Sequence, residues 1–116
     1  MGKILGLHPL ELRPEVDAQA FEQFVARDLA PLYRRVAGQD AYLIKGDRGA
    51  HVGQYVMVIE LASPSVRDQI YPETDSFSPE FEQALVGTDA VWERLETFVS
   101  IGVSGPDWTD YVVIDA

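Results

Sequence analysis

The 116-residue chain contains no cysteine, which removes disulfide staples, thiolate nucleophiles and cysteine-based metal sites together. A disulfide-stapled extracellular domain is therefore disfavoured, and a cytoplasmic location is the expectation. Basic residues are scarce as well: nine Lys and Arg face nineteen Asp and Glu, for a net charge of −10. Only Arg34 and Arg35 are adjacent. Binding to nucleic acid relies on clustered cations that release counterions from phosphates, so no nucleic-acid partner is expected. Long apolar runs are missing too. No stretch approaches the roughly 20 apolar residues of a membrane span, and the run around Ile4 to Leu7 is short for a signal peptide, so no membrane partner is expected either.

Several catalytic and ligand signatures are also absent. The acidic loop around Glu73, Asp75 and Glu80 lacks the alternating Asp/Asn pattern of a calcium loop, and no closely spaced histidine–carboxylate set suggests a metal. The segment Gly46 to Gly53 has glycines but no Gly-Lys-Ser/Thr ending and no following helix, which rules against a phosphate loop. There is no Gly-x-Ser-x-Gly elbow, and Ser104 has no histidine nearby in sequence, so triad hydrolysis is unsupported. No cofactor is implied by any motif.

What is present is the composition of an ordinary globular protein, 47% hydrophobic and 24% charged, expected to fold as a single domain over residues 1–116. Lys3 to Arg13 reads as a first strand ended by Pro14. Asp17 is placed as the N-cap of a helix whose stripe is Phe21, Phe24, Val25, Leu32 and Val36. Pro31 removes a backbone donor from that helix and predicts a kink or a restart near Leu29-Ala30, and Gly38 closes it. Ala41 to Lys45 and Gln54 to Leu61 form a hairpin. Ser63-Pro64 and Ser78-Pro79 are N-cap and N1 pairs opening further helical segments. The second of these runs through Phe81, Leu85, Trp92, Leu95 and Phe98, with a break expected near Gly87. Gly102 to Pro106 reads as a linker and Trp108 to Ile114 as the last strand.

The order is βαββαβ, which predicts an α+β, ferredoxin-like fold: a four-stranded antiparallel sheet with helices on one face. The other face should be wet, yet the strands are apolar on both sides. Tyr55, Met57, Ile59 and Leu61 alternate with Val56 and Val58; Tyr42 and Ile44 alternate with Ala41 and Leu43; Tyr111 and Val113 alternate with Val112 and Ile114. A contiguous apolar sheet face marks an interaction surface, and the expected cover is a second copy of the chain, giving a homodimer.

Four segments carry a family resemblance: the strand ending Leu10-Glu11-Leu12-Arg13-Pro14, the helix opening Asp17 to Phe24, the central hairpin, and the closing Asp110-Tyr111-Val112-Val113-Ile114. With them the whole chain resembles the dimeric α/β-barrel superfamily of small ferredoxin-like proteins. That superfamily includes antibiotic-biosynthesis monooxygenases, EthD-like proteins, haem-degrading monooxygenases and stress-responsive barrel proteins. The resemblance implies two sheets packed face to face into a barrel. It also implies a modest-sized aromatic or apolar ligand between helices and sheet.

His8 is the candidate catalytic or ligand-contacting residue, because it lies among apolar residues of the first strand and titrates near neutral pH. Its alternative role is that of a satisfied core or interface histidine, and Pro9 leaves open which face it points to. Trp92, with hydroxyls from Tyr55 and Tyr71, is the candidate ligand-binding wall, against plain core packing. Trp108 is placed at an interface. His51 falls in the hairpin loop, exposed. Three functions follow: a small-molecule-binding dimer, a cofactor-independent monooxygenase acting on an aromatic substrate, and a structural or stress-protective dimer without a ligand. The helix-borne histidine usual in the haem-degrading relatives has no counterpart between Ser63 and Val99, so the resemblance leaves His8 as the axial ligand and disfavours haem degradation.

Overall fold

β1 (Ile4–Leu12) is nine residues long and has a different partner arrangement on each edge. A computed structural model describes residues 2–74 and 76–114; Asp75 of the acidic loop lies outside the described residues. On one edge β1 runs antiparallel to the strand Tyr55–Leu61 in an unbroken register from Ile4↔Leu61 to Leu10↔Tyr55. On the other edge two short strands share it. The strand Thr109–Val112 pairs with Ile4 to Leu7, and the strand Val99–Ile101 pairs with Glu11 and Leu12. In chain order these are β2 (Gln39–Lys45), β3 (Tyr55–Leu61), β4 (Val99–Ile101) and β5 (Thr109–Val112). All pairings are antiparallel, and the order is β2-β3-β1 followed by β4 and β5 on the far edge.

Among the described residues the expected four strands are thus five. The closing strand is shorter than Trp108 to Ile114, and it covers only the first half of β1. Val99–Ile101, which has too few residues to show a period of its own, takes the second half as soon as the preceding helix ends. Between β5 and β4 the edge of β1 at His8 to Leu10 has no strand beside it. Proline is tolerated at such a gap because it has no N–H to leave unpaired, and Pro9 causes no bulge against β3. The register irregularity falls instead at Glu11/Leu12.

The first helical segment is α1 (Ala18–Phe24), a π-helical turn (Val25–Leu29) and α2 (Ala30–Tyr33). The π-helical turn ends at Leu29 and the α-helix restarts at Ala30, where the interruption was expected. Pro31 is accommodated at the start of α2, and the backbone before it widens so that the Ala30 N–H reaches the Val25 carbonyl. The apolar stripe survives: Phe21, Phe24, Val25, Leu29, Leu32 and Tyr33 are all buried. The later segments are α3 (Pro64–Ile70), α4 (Pro79–Ala84) and α5 (Asp89–Phe98). Ser63 Oγ and Ser78 Oγ each accept from the backbone N–H three residues on, at 3.1 Å. Gly87, at φ +81°, turns the chain between α4 and α5 as a left-handed residue.

Asp17 Oδ1 accepts from the Gln19 N–H at 3.2 Å. Asp17→Ala is therefore expected to cost roughly 0.5–2 kcal/mol of stability in chemical denaturation. A smaller loss would mean that solvent replaces this cap without penalty.

The helices cover the face of the sheet that carries Ile4, Leu10, Ala41, Met57, Ile59 and Leu61, and the core lies between these layers. The opposite face presents Leu5, Leu7, Tyr42, Ile44, Val56, Val58 and Tyr111, with Glu60 at one end. Ile44 is 44% exposed and Tyr111 54%, whereas Val58 is only 3% exposed. Val58 is shielded within one chain by its cross-strand neighbours Leu7 and Tyr42. Among the described residues no helix is long and apolar enough to cross a membrane.

Candidate functional site

The gap on the edge of β1 is filled by the turn at Gly102–Gly105, closed by the Gly105 N–H donating to the Gly102 carbonyl at 3.0 Å. That turn brings the Val103 carbonyl to 2.8 Å from Nδ1 of His8. A carbonyl only accepts, so the proton of the neutral ring sits on Nδ1 and Nε2 keeps its lone pair. The unbroken register settles the direction of His8: it shares the helix-covered face with Ile4 and Leu10. Trp108, just before β5, stacks on the imidazole with ring centres 5.7 Å apart and planes 10° from parallel. Burial pushes the His8 pKa below its ordinary 6.5, against the opposing pull of the Val103 hydrogen bond and the Asp110 charge. The ring is neutral at neutral pH. Its folded pKa is depressed, so its contribution to stability is full above pH 6.5 and declines as acid protonates the unfolded chain first.

Next to His8, Gly6 pairs with Asp110 of β5. A Cβ placed on Gly6 would come within 2.9 Å of Asp110 Oδ1 and 3.2 Å of His8 Nε2. The missing side chain is therefore what lets the carboxylate and the imidazole approach over the same spot of sheet. Asp110 Oδ2 lies 3.3 Å from Nη1 of Arg67 on α3, whose Nε donates to Asp68 at 3.1 Å.

These groups open onto a cleft of about 880 Å³ between the sheet and the helices, bounded by the segment from α3 through Phe77 and by α5. Five aromatic residues line it, Tyr33, Tyr71, Phe77, Trp92 and Trp108, together with Ile59 and Leu61 of the sheet. Trp92 meets Tyr33 edge-on at 6.2 Å and donates its Nε1–H to Thr88 Oγ1 at 3.2 Å. The Tyr71 hydroxyl donates to Gln39 Oε1, and Gln39 Nε2 donates to the Tyr33 carbonyl at 2.9 Å. Burial raises the pKa of both Tyr33 and Tyr71, which stay neutral phenols.

His8, Tyr71 and Trp92, singled out from the sequence, thus line one cleft. Tyr55 does not join them. It lies further along the helix-covered face, edge-on to Phe21 at 5.3 Å, with its hydroxyl hydrogen-bonded to Glu22 and Lys45 over its ring. There it borders a separate depression of about 370 Å³ between the first helical segment and β2. Arg67, Asp110, Val103 and Tyr33 were not visible from sequence as site residues, and Trp108 serves the cleft. One signal was available: Gly6, a glycine inside an apolar strand, marks a close approach. Among the described residues no group of His, Asp and Glu is arranged to hold a metal ion.

The fold and cleft together define an α+β protein of ferredoxin-like strand order with an aromatic cleft between sheet and helices. No family model matches the chain, and no curated protein matches it. Among solved structures it is similar to an uncharacterised NIPSNAP-like domain protein from Burkholderia xenovorans, over 99% of this chain and 86% of that one, with a TM-score of 0.50 and 15% identity. At that identity the likeness is one of fold.

Proposed function

We propose that the protein binds a small aromatic or apolar molecule in the cleft lined by His8, Tyr71 and Trp92, and that it works as a homodimer of the α/β-barrel type. The observation that carries the first part is the convergence of those three residues on one cleft of about 880 Å³, within the size range of small-molecule sites. Apolar rings supply affinity there, while the open Nε2 of His8 and the phenols fix orientation. The second part is supported by Leu5, Leu7, Ile44, Val56 and Tyr111, an apolar sheet face that the helices of the same chain leave uncovered.

Both tryptophans of the chain line the cleft, so intrinsic fluorescence reports on its occupancy. A panel of neutral one- and two-ring aromatic compounds is expected to change that fluorescence and raise the melting temperature. Trp92→Phe and His8→Ala are each expected to weaken binding about tenfold, the loss of one good contact. Failure of every compound to bind would leave a structural dimer as the remaining reading.

A second reading, oxygenation of an electron-rich aromatic without a cofactor, is favoured by the protonation state of His8. In it Nε2 takes the proton of a substrate hydroxyl, and the resulting anion gives electrons to dioxygen as a carbon–oxygen bond forms. Substrate-dependent oxygen uptake that disappears in His8→Ala is its signature.

A further inference from the structure

We infer that the ligand of this cleft is an organic cation, an aromatic or apolar compound carrying a protonated amine. The inference rests on the proposed ligand-binding role of the cleft and names the chemistry it selects.

The polar lining of the cleft includes Arg67, Tyr71, Ser104 and Thr109, but its corner over Gly6 holds two acceptors. His8 spends its only ring proton on Val103 and presents the Nε2 lone pair. Asp110 presents a carboxylate over Gly6 at the same place, with its side chain 23% exposed. A ligand seated there must donate hydrogen bonds, which an ammonium does and a carboxylate cannot. Charge points the same way. Asp68, Glu73 and Asp110 face the cleft against one guanidinium, Arg67, among the described residues. Arg67 is already divided between Asp68 and Asp110. Its charge is spent, and an anionic ligand would meet an excess of carboxylate there.

The walls suit a cation as well. Tyr71, Phe77, Trp92 and Trp108 line the same cleft, and an organic cation is attracted to the negative face of an aromatic ring, most strongly that of Trp. The net charge of −10 adds long-range steering of the same sign.

The groups facing His8 are Trp108 and Asp110 from the β5 side, Arg67 and Tyr71 from α3 and its end, and Val103 from the turn. Protonation of His8 would replace an acceptor with a second cation, so affinity for an ammonium is expected to fall as pH drops through the lowered His8 pKa.

The test is calorimetric titration of the intact protein at neutral pH with three compounds of one shape: 2-phenylethylamine, 2-phenylethanol and phenylacetate. The amine is expected to bind roughly tenfold tighter than the alcohol, the difference of a charge-assisted contact, and the carboxylate weakest. Asp110→Asn should erase the preference for amine over alcohol, leaving the alcohol within about twofold of its original affinity. Arg67→Gln, which removes the competing cation and leaves Asp110 in place, should strengthen the amine. Equal affinities for amine and alcohol, or tightest binding of phenylacetate, overturn the inference while the cleft remains an aromatic site. Absence of binding by all three and by the neutral aromatic panel overturns the inference and the proposed function together.

Discussion

Val58→Asp is expected to destabilise the folded chain by roughly 2–5 kcal/mol, while Ile44→Asp leaves stability within about 0.5 kcal/mol and separates the proposed dimer. Both residues lie on the sheet face away from the helices, and both substitutions place a carboxylate there. They differ in what one chain already does to the site. Val58 is 3% exposed beneath Leu7 and Tyr42, so its replacement strands a charge inside the fold of a single chain. Ile44 is 44% exposed on β2, the sheet edge, and its charge remains hydrated until a second sheet covers it. Desolvation would then weaken association by roughly a hundredfold or more. Glu60→Ala gives the control: its contacts to Lys3 at 3.5 Å and Tyr42 at 3.3 Å are part-exposed, and their loss is expected to cost at most about 1 kcal/mol. Urea denaturation reads the first quantity and sedimentation equilibrium the second. A wild-type chain that is monomeric at micromolar concentration would refute the dimer. Ile44→Asp that dimerises as the wild type does would move the contact to another face.

Gly6→Val is expected to abolish aromatic binding in the cleft and to cost roughly 1–3 kcal/mol of stability. Even the first carbon of the new side chain would sit 2.9 Å from Asp110 Oδ1, 3.2 Å from His8 Nε2 and 3.5 Å from the Ile59 carbonyl. The two further methyls have no space over the sheet. Asp110 must swing away from Arg67, and the imidazole must leave its stacked position on Trp108. Thermal melting reads the stability cost, and tryptophan fluorescence with a bound aromatic compound reads the site. Unchanged binding in a folded Gly6→Val protein would place the ligand away from His8 and Asp110.

Much of the fold was legible in the chain because its causes are local. Asp17, Ser63 and Ser78 announce helix starts through hydrogen bonds made two or three residues away. The alternation in β1 to β3 assigns each residue to a face, and Met57 and Ile59 are buried on the face so assigned. The break at Gly87 follows from a backbone angle that glycine adopts without strain. Pro31 marked the interruption at Leu29-Ala30 but not the π-helical form of the turn before it, because it states only that a donor is missing. Which neighbouring turn widens depends on how the stripe from Phe21 to Tyr33 meets the sheet.

The site was legible only in part. His8, Tyr71 and Trp92 stand out by residue type, but residue type also singled out Tyr55, whose partners prove to be Glu22 and Lys45. Asp110 and Arg67, 43 residues apart, meet because β5 pairs with β1 while α3 packs over that pairing. Val103 reaches His8 across 95 residues because β4 and β5 leave between them a gap that only a turn fills.

The sequence by itself thus determined the α+β class, the strand directions, the helix caps and a two-sided apolar sheet, since each follows from periodicity, capping chemistry or composition over a few residues. Tertiary structure decided the fifth strand, the tautomer of His8, the pairing of Arg67 with Asp110 and the cleft that unites them. Those features depend on which distant segments share an edge of β1, a choice made by the packing of the whole core, in which no short stretch of sequence has a deciding share.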